Sequence, residues 1–174
     1  EYQDNYTLKI VRERTLNSTR GNILDRNGEV LAYNELAYSI TIEDNGSYDS
    51  NSERHKFLNE EIADIITALE KNGDAIINNF KIAISDSGKY EFNVSGTSLK
   101  RFLADVYGEV SYSDLKYDKK LGYNQAQATA EQVMDYLKNS RFYVSEDYPE
   151  DMAYKITVVR YAMSENSYQK YIAT

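Results

Sequence analysis

Apolar residues recur at two different spacings along this chain, and the change of spacing divides it into regions. Within residues 6–10 and 36–42, apolar and polar positions alternate, which predicts half-buried β-strands. Within residues 53–71 the apolar positions instead follow the period of a helix, and Asn72-Gly73 is typical of a helix end. The polar residues 47–53 between the two patterns predict a linker.

Both spacings recur in the second half of the chain. Alternating apolar residues on either side of residues 85–88 predict a β-hairpin. Further helices are predicted from Thr97, a suitable N-terminal cap, around residues 126–137, and from Pro149 onward. Residues 168–172 predict a short final strand.

Together these elements predict an α+β fold with an inserted subdomain. A small, elongated β pedestal would be built from the two chain ends, and a mostly helical head subdomain would be inserted between them. The predicted boundaries are residues 1–49 for the first pedestal segment, 50–165 for the head with its hairpin, and 166–174 for a strand that returns to the pedestal.

Charge and composition exclude several classes of function but do not identify one. The formal net charge is −8 and the basic residues are scattered, so we expect no nucleic-acid partner. The absence of cysteine excludes disulfides and thiolate metal sites, and we expect no cofactor or metal. No apolar run approaches the ~20 residues of a membrane helix. Neither end resembles a natural terminus, so we expect a piece of a longer protein.

The segment at residues 20–28 is the most informative part of the sequence. The pair Asn27-Gly28 favours a type I′ hairpin turn. Asp25 stands between Arg20 and Arg26, and a carboxylate can accept paired hydrogen bonds from a guanidinium group. We therefore expect a tight turn braced by arginine–carboxylate contacts, which is a structural motif rather than a catalytic one.

This segment resembles the R-G-x-x-x-D-R-N-G signature of class B penicillin-binding proteins. The residues at the fixed positions are Arg20, Gly21, Asp25, Arg26, Asn27 and Gly28. The pairs Leu31-Ala32 and Tyr38-Ser39 are also similar to the family. Arg160-Tyr161 and residues 166–171 resemble the end of the family's head insertion, and the helical middle is most similar to Firmicutes-type members.

The resemblance implies a non-catalytic scaffold at the extracytoplasmic face of the bacterial cell membrane. In the family a membrane helix precedes this pedestal, often called the dimerisation domain, and a peptidoglycan D,D-transpeptidase domain follows it. The implied partners are that C-terminal transpeptidase domain, a membrane glycosyltransferase, divisome or elongasome proteins, and a second copy in a homodimer. The membrane would be reached only through the helix that precedes the pedestal.

Several patterns imitate catalytic sites. Ser113 and Ser167 each begin an S-x-x-K sequence, but no K-T-G follows, so we interpret both as chance matches. His55, the single histidine, lies near a polar helix start, where we expect it at the solvated surface. The pairs Glu60-Glu61 and Glu150-Asp151 are expected to be solvated helix charges.

Two alternative functions stay open. The chain has 17 tyrosines, so the head could recognise glycan or lipid II through tyrosine rings, although packing is the commoner use of tyrosine. A stand-alone enzyme of another type is the third hypothesis, and the lack of a convergent nucleophile–base pair argues against it.

Overall fold

The computed structural model of the chain describes residues 21–33, 42, 44 and 46–172, with side chains as far as Ser164. It divides the chain into two compact units, Glu1–Thr41 and Ile42–Thr174. The strand predicted at residues 6–10, and all but Ile42 of the strand predicted at 36–42, lie outside the described residues.

The described part of unit 1 is a short antiparallel hairpin. Strand β1 (Ile23–Leu24) pairs with β2 (Val30–Ala32). Ile23 lies opposite Ala32 and Leu24 opposite Val30, so Leu31 is an extra residue on β2 and forms a bulge.

Unit 2 combines four helices with two small hairpins, which confirms the α+β class. The helices are α1 (Asn51–Lys71), α2 (Gly96–Tyr107), α3 (Ala130–Asp135) and α4 (Glu150–Ile172). The strands are β3 (Ile82–Ile84), β4 (Tyr90–Phe92), β5 (Tyr117–Asp118) and β6 (Tyr123–Asn124). Single 3₁₀ turns cover Tyr112–Asp114 and Gln125–Gln127, and a short π-helix, Tyr136–Arg141, follows α3 directly.

Side-chain caps explain where two of the helices begin. The Ser50 hydroxyl accepts a hydrogen bond from the Glu53 amide at the start of α1, two residues before the predicted start. Thr129 and Gln132 form a reciprocal capping box at α3. The predicted cap of α2 is wrong: Ser95 is the N-cap residue, and Thr97 lies inside the first turn.

The strand predicted for residues 166–174 is also wrong over residues 166–172, which continue α4 as helix. Residues 150–172 contain neither glycine nor proline, so nothing in the sequence interrupts the helix. Tyr168, Tyr171 and Ile172 also have the i, i+3, i+4 spacing of a helix face, which a short window cannot distinguish from a strand.

Helices α1 and α4 run antiparallel. Lys155, near the start of α4, contacts Glu70 at the end of α1. Arg160, one turn later, contacts Asn59 nearer the start of α1. The segment that leads into α1, here called the entering segment (Ile42, Asp44 and residues 46–50), meets α1 at its N-terminus. Because the two helices are antiparallel, α4 runs toward that same end.

The core of unit 2 is apolar and centres on aromatic contacts. Phe80 packs edge-on against Phe102 and Tyr161, with ring centroids 5.6 and 5.2 Å away. Fully buried aliphatic side chains surround this cluster: Ile62, Ile66, Ile82, Val106, Val133, Leu137 and Ile156.

Side chains close both outer edges of the β3–β4 hairpin, whose prediction from the sequence is confirmed. The Tyr154 hydroxyl donates to the Ile82 carbonyl (2.8 Å), and the Tyr90 amide donates to Glu131 Oε1 (2.9 Å). These contacts occupy backbone groups that could otherwise pair with another strand.

Replacing a core side chain should test this packing. We expect Leu137→Ala, at a fully buried position, to lower the free energy of unfolding by about 2–5 kcal/mol because it leaves a cavity. Ile77→Ala is the control, since Ile77 is 82% exposed and should change stability by less than about 0.5 kcal/mol. Urea unfolding followed by circular dichroism measures both, and equal effects would contradict this packing.

Candidate functional site

The signature turn is closed by its own backbone. The Gly28 amide donates to the Asp25 carbonyl (3.1 Å), and the Asp25 amide donates to the Glu29 carbonyl (2.8 Å). Gly28 has φ +86°, whereas Asn27 does not have a positive φ. The predicted type I′ turn is therefore wrong, because that turn needs positive φ at both central residues. The chain forms a turn over residues 25–28 that ends in a left-handed glycine.

The Asp25 carboxylate braces this turn from inside. Its Oδ1 accepts hydrogen bonds from the Asn27 and Glu29 amides, both at 2.8 Å. Its Oδ2 accepts from the Asn27 side chain (3.3 Å). Within the described hairpin Arg26 forms no ion pair with Asp25, and Arg20 lies outside the described residues. Two backbone amides and the Asn27 side chain thus brace the turn where a contact from Arg26 was expected, and the expected contact between Arg20 and Asp25 stays a prediction.

The hairpin exposes most of its apolar surface. Five side chains are between 53% and 71% exposed: Ile23, Leu24, Val30, Leu31 and Tyr33. A two-stranded hairpin is only marginally stable alone, and apolar residues gain stability by leaving water. The arrangement suits a surface that packs against another body.

A second cluster, here called the polar joint, lies between α1 and α4. It consists of His55, Asn59, Arg160 and the carbonyls of Phe142 and Tyr143. Arg160 is only 5% exposed, and its Nη1 donates to Asn59 Oδ1 at 2.9 Å. Its Nη2 lies 2.9 Å from His55 Nδ1. Asn59 Nδ2 in turn donates to both carbonyls at 3.0 Å, so one amide side chain connects three segments.

The expectation of a solvated His55 is wrong, because the side chain is 6% exposed. Helix α1 begins at Asn51, which places His55 in the second turn. His55, Asn59 and Ile62 are spaced i, i+4, i+7 and so share the buried face. That spacing was the sequence signal for His55 and Asn59, which we missed. No local pattern pointed to Arg160 as their partner.

Burial controls the charges in the joint. It lowers the pKa of Arg160 to about 10, with a further contribution from the nearby Arg54 cation. Burial also lowers the pKa of His55, and the charges of Arg160 and Arg54 act in the same direction. Asp44 on the entering segment partly offsets the effect on Arg160.

Asp44 also fixes the entering segment to α1. Arg54 Nε and Nη2 contact Asp44 Oδ2 at 2.6 and 2.5 Å, and the Tyr48 hydroxyl donates to Asp44 Oδ1 at 3.1 Å. Burial alone would raise the pKa of Asp44, but the Arg54 and Tyr48 hydrogen bonds lower it overall. This ion pair lies next to the joint and links it to the point where the chain enters unit 2.

The joint also holds a strained residue. Tyr143 has φ +51°, an uncommon conformation for a bulky side chain. Its carbonyl accepts from Asn59, and its ring lies 5.0 Å from the His55 ring. These contacts support a backbone conformation that costs about 1–3 kcal/mol.

The apparent catalytic patterns do not converge into a site. Ser113 is exposed in a single helical turn, where its hydroxyl bonds that of Ser111 (2.6 Å). The Ser167 side chain lies outside the described side chains. In the described part of the chain, no group of three or more histidine, cysteine or acidic residues could hold a metal ion.

The adjacent carboxylates predicted to be surface charges, Glu150-Asp151 and Glu60-Glu61, also do not form a joint site. Glu150 bonds Lys138 and Tyr90, whereas its neighbour Asp151 bonds Lys155. Glu60 faces Lys56 on the same helix. They act as surface helix charges, as expected, and not as an acid–base pair.

Several tyrosines of unit 2 form hydrogen bonds to one another or to the backbone. The hydroxyls of Tyr107 and Tyr123 are 3.2 Å apart, and that of Tyr123 also reaches the Gln132 carbonyl. The Tyr107 ring packs 4.9 Å from that of Tyr136. Tyr112 donates to the Ala126 carbonyl (2.9 Å). These contacts serve packing.

No helix among the described residues is both long and apolar enough to cross a bilayer.

Comparison with known proteins identifies one protein family that matches this chain. The model of the penicillin-binding protein dimerisation domain matches residues 15–172, which is nearly the whole chain. No curated protein and no solved structure gave a significant match.

The class of protein is thus a non-catalytic domain of a cell-wall synthesis protein. The chain belongs to the penicillin-binding protein dimerisation domain family. The resemblance of residues 20–28 to the signature of that class is consistent with the match.

Removal of the Asn59 amide should show how far the joint stabilises unit 2. We expect Asn59→Ala to lower the free energy of unfolding by about 3 kcal/mol, because Arg160 Nη1 and the carbonyls of Phe142 and Tyr143 lose their hydrogen bonds to the Asn59 side chain. Asn139→Ala is the control, since Asn139 is exposed and bonds only the nearby Asp135. Chemical denaturation measures both, and a loss below 1 kcal/mol at Asn59 would show that the network is dispensable.

Proposed function

We propose that the chain is the non-catalytic, extracytoplasmic scaffold and interaction domain of a class B penicillin-binding protein. The parent protein would be a peptidoglycan D,D-transpeptidase whose active-site serine lies outside this chain. The observation that carries the proposal is the signature hairpin, whose turn is closed by hydrogen bonds of Asp25 and Gly28 yet leaves five apolar side chains exposed. Such a hairpin has the features of a docking element rather than of an active site.

The domain organisation also supports a scaffold. We propose that residues 1–49 contribute to a pedestal and that unit 2 is a head inserted into it, with signature residues Arg20–Gly28 on the pedestal side. The antiparallel arrangement of α1 and α4 directs α4 back toward the end at which α1 begins, which supports an insertion. The predicted boundary at residue 165 moves to the end of α4, since that helix continues to Ile172.

The proposed partners follow from this role. The first is the parent's own C-terminal transpeptidase domain, which the exposed hairpin would contact. A membrane glycosyltransferase, divisome or elongasome proteins and a second copy of the chain are further candidates. The localisation would be the outer face of the bacterial cell membrane, reached through a membrane helix that precedes this chain in the parent.

Recognition of glycan or lipid II is the alternative. It would use tyrosine rings that project from the head, and Tyr117 and Tyr143 are each 59% exposed. They are not joined into a platform by any contact among the described residues, whereas Tyr107, Tyr123 and Tyr136 are packed together. The scaffold therefore accounts for more of the structure.

Docking by the hairpin can be tested by placing a charge on it in the complete parent protein. We expect Leu31→Asp to destabilise the parent by about 2 kcal/mol, because Leu31 would be buried against the rest of that protein. The same change should leave the stability of the 174-residue chain unaltered, since Leu31 is 68% exposed there.

The matched control is Ile77→Asp on the head, which should be silent in both proteins. Thermal unfolding of the parent and of the chain gives the comparison. If Leu31→Asp is silent in both, the hairpin is not a docking element.

The absence of catalysis is tested with a fluorescent penicillin. We expect covalent labelling of the complete parent protein and none of the 174-residue chain, because no K-T-G sequence accompanies the S-x-x-K sequences at Ser113 and Ser167. Gel fluorescence and peptide mass spectrometry provide the measurement. A label on Ser113 or Ser167 would refute the proposal directly.

A further inference from the structure

The single histidine of the chain, His55, lies in the polar joint between α1 and α4. His55 lies on α1, close to the point where the chain enters unit 2, and it contacts Arg160 on α4. A change in its protonation would therefore act on the contact between these two helices.

The geometry determines which form of the ring fits. Arg160 Nη2 lies 2.9 Å from His55 Nδ1. A guanidinium group has donors only, so Nδ1 must accept, and the folded joint requires a ring without a proton on that nitrogen. A hydrogen bond to the Phe142 backbone favours the charged ring but is the smallest of the influences on it.

The charges around His55 oppose a second cation. Arg160 contacts the ring from α4, and Arg54 precedes it on α1. From the entering segment, Asp44 is already bonded by Arg54 and by the Tyr48 hydroxyl.

The loop after Arg141 also packs against the His55 ring. It presents the Phe142 carbonyl and the Tyr143 ring, neither of which carries a charge. No carboxylate among the described residues contacts the imidazole, so a protonated His55 would be a second buried cation beside Arg160.

We propose that His55 makes the polar joint acid-sensitive: protonation at Nδ1 removes the acceptor for Arg160, and the contact between α1, residues 142–143 and α4 opens locally. The opening loosens the end of unit 2 at which the chain enters. The apolar core around Phe80 and Phe102 keeps its packing, since it does not depend on His55.

The direction of the pH dependence follows from proton linkage. Burial, Arg160 and Arg54 hold the pKa of His55 below its ordinary value of 6.5 in the closed joint. The open joint therefore binds a proton more readily, and closure is fully stable above pH 6.5 and weakens as the pH falls below it. Between the open and closed pKa values, the opening equilibrium increases by up to about tenfold per pH unit.

Hydrogen exchange at pH 7.5 and pH 5.5 tests the proposal on the 174-residue chain. After correction for intrinsic exchange rates, protection of the amides of residues 54–60, 142 and 144 should fall by up to about tenfold at pH 5.5, whereas core amides such as those of Val133 and Leu137 keep theirs. In His55→Gln the pH difference should vanish, because the glutamine oxygen can accept from Arg160 and does not titrate. An unchanged pH difference in that variant would overturn the proposal, as would equal loss in the core.

A direct titration of the unmodified chain keeps the test independent of the variant. The single histidine gives one set of imidazole NMR signals, whose midpoint should lie below 6.5 and whose titration should shift the amides of Asn59 and Tyr143. A midpoint at or above 6.5 would overturn the proposal even if His55→Gln failed to fold.

Discussion

The burial of the Arg160 guanidinium between α1 and α4 is the constraint on which the organisation of unit 2 depends. A desolvated cation is costly unless its donors are bonded, and here neutral acceptors on α1 take those hydrogen bonds. Asn59 must then use its two remaining donors, and it does so on the carbonyls of residues 142 and 143. One buried charge thereby determines the relative positions of two helices and a loop that lie far apart in sequence.

The same network explains the unusual backbone at Tyr143. A bulky residue at φ +51° would relax in an isolated loop, but its carbonyl is held by Asn59 and its ring lies against His55. The strain is therefore a consequence of satisfying Arg160, because the loop must direct two successive carbonyls toward one amide. The neighbouring Asp44–Arg54 ion pair extends the network to the entering segment without neutralising Arg160 through direct contact.

Local sequence patterns correctly predicted those elements that depend on interactions between residues near one another in sequence. The helix at Asn51–Lys71 and the hairpin of β3 and β4 follow from apolar spacing and turn residues, and both are confirmed. The errors occur where two local interpretations compete. Residues 166–172 fit either a helix or a strand by spacing, and absence of a helix breaker was the better guide. The signature turn was assigned to type I′ from Asn27-Gly28 alone, although the Asp25 side chain favours a longer loop.

Local sequence patterns could not predict the polar joint, for a different reason. Arg160 is 101 residues from Asn59 and 105 from His55, so only the folded chain brings the three together. A histidine near a polar helix start is usually solvated, and the opposing evidence was the shared face with Asn59 and Ile62. Recognition of that face could have predicted burial of His55, but not the cation that it meets.

The signature hairpin forms its polar contacts with neighbours in sequence, whereas unit 2 forms its polar joint with residues far apart in sequence. In the signature hairpin, Asp25 bonds residues two and four positions away, so the turn is complete without help from distant residues, while the apolar side chains stay exposed. In unit 2, the apolar core is closed and the polar joint depends on long-range partners. A self-contained turn that displays apolar surface is suited to contact another body. In unit 2 the long-range polar contacts lie between α1 and α4, and the apolar core does not depend on them.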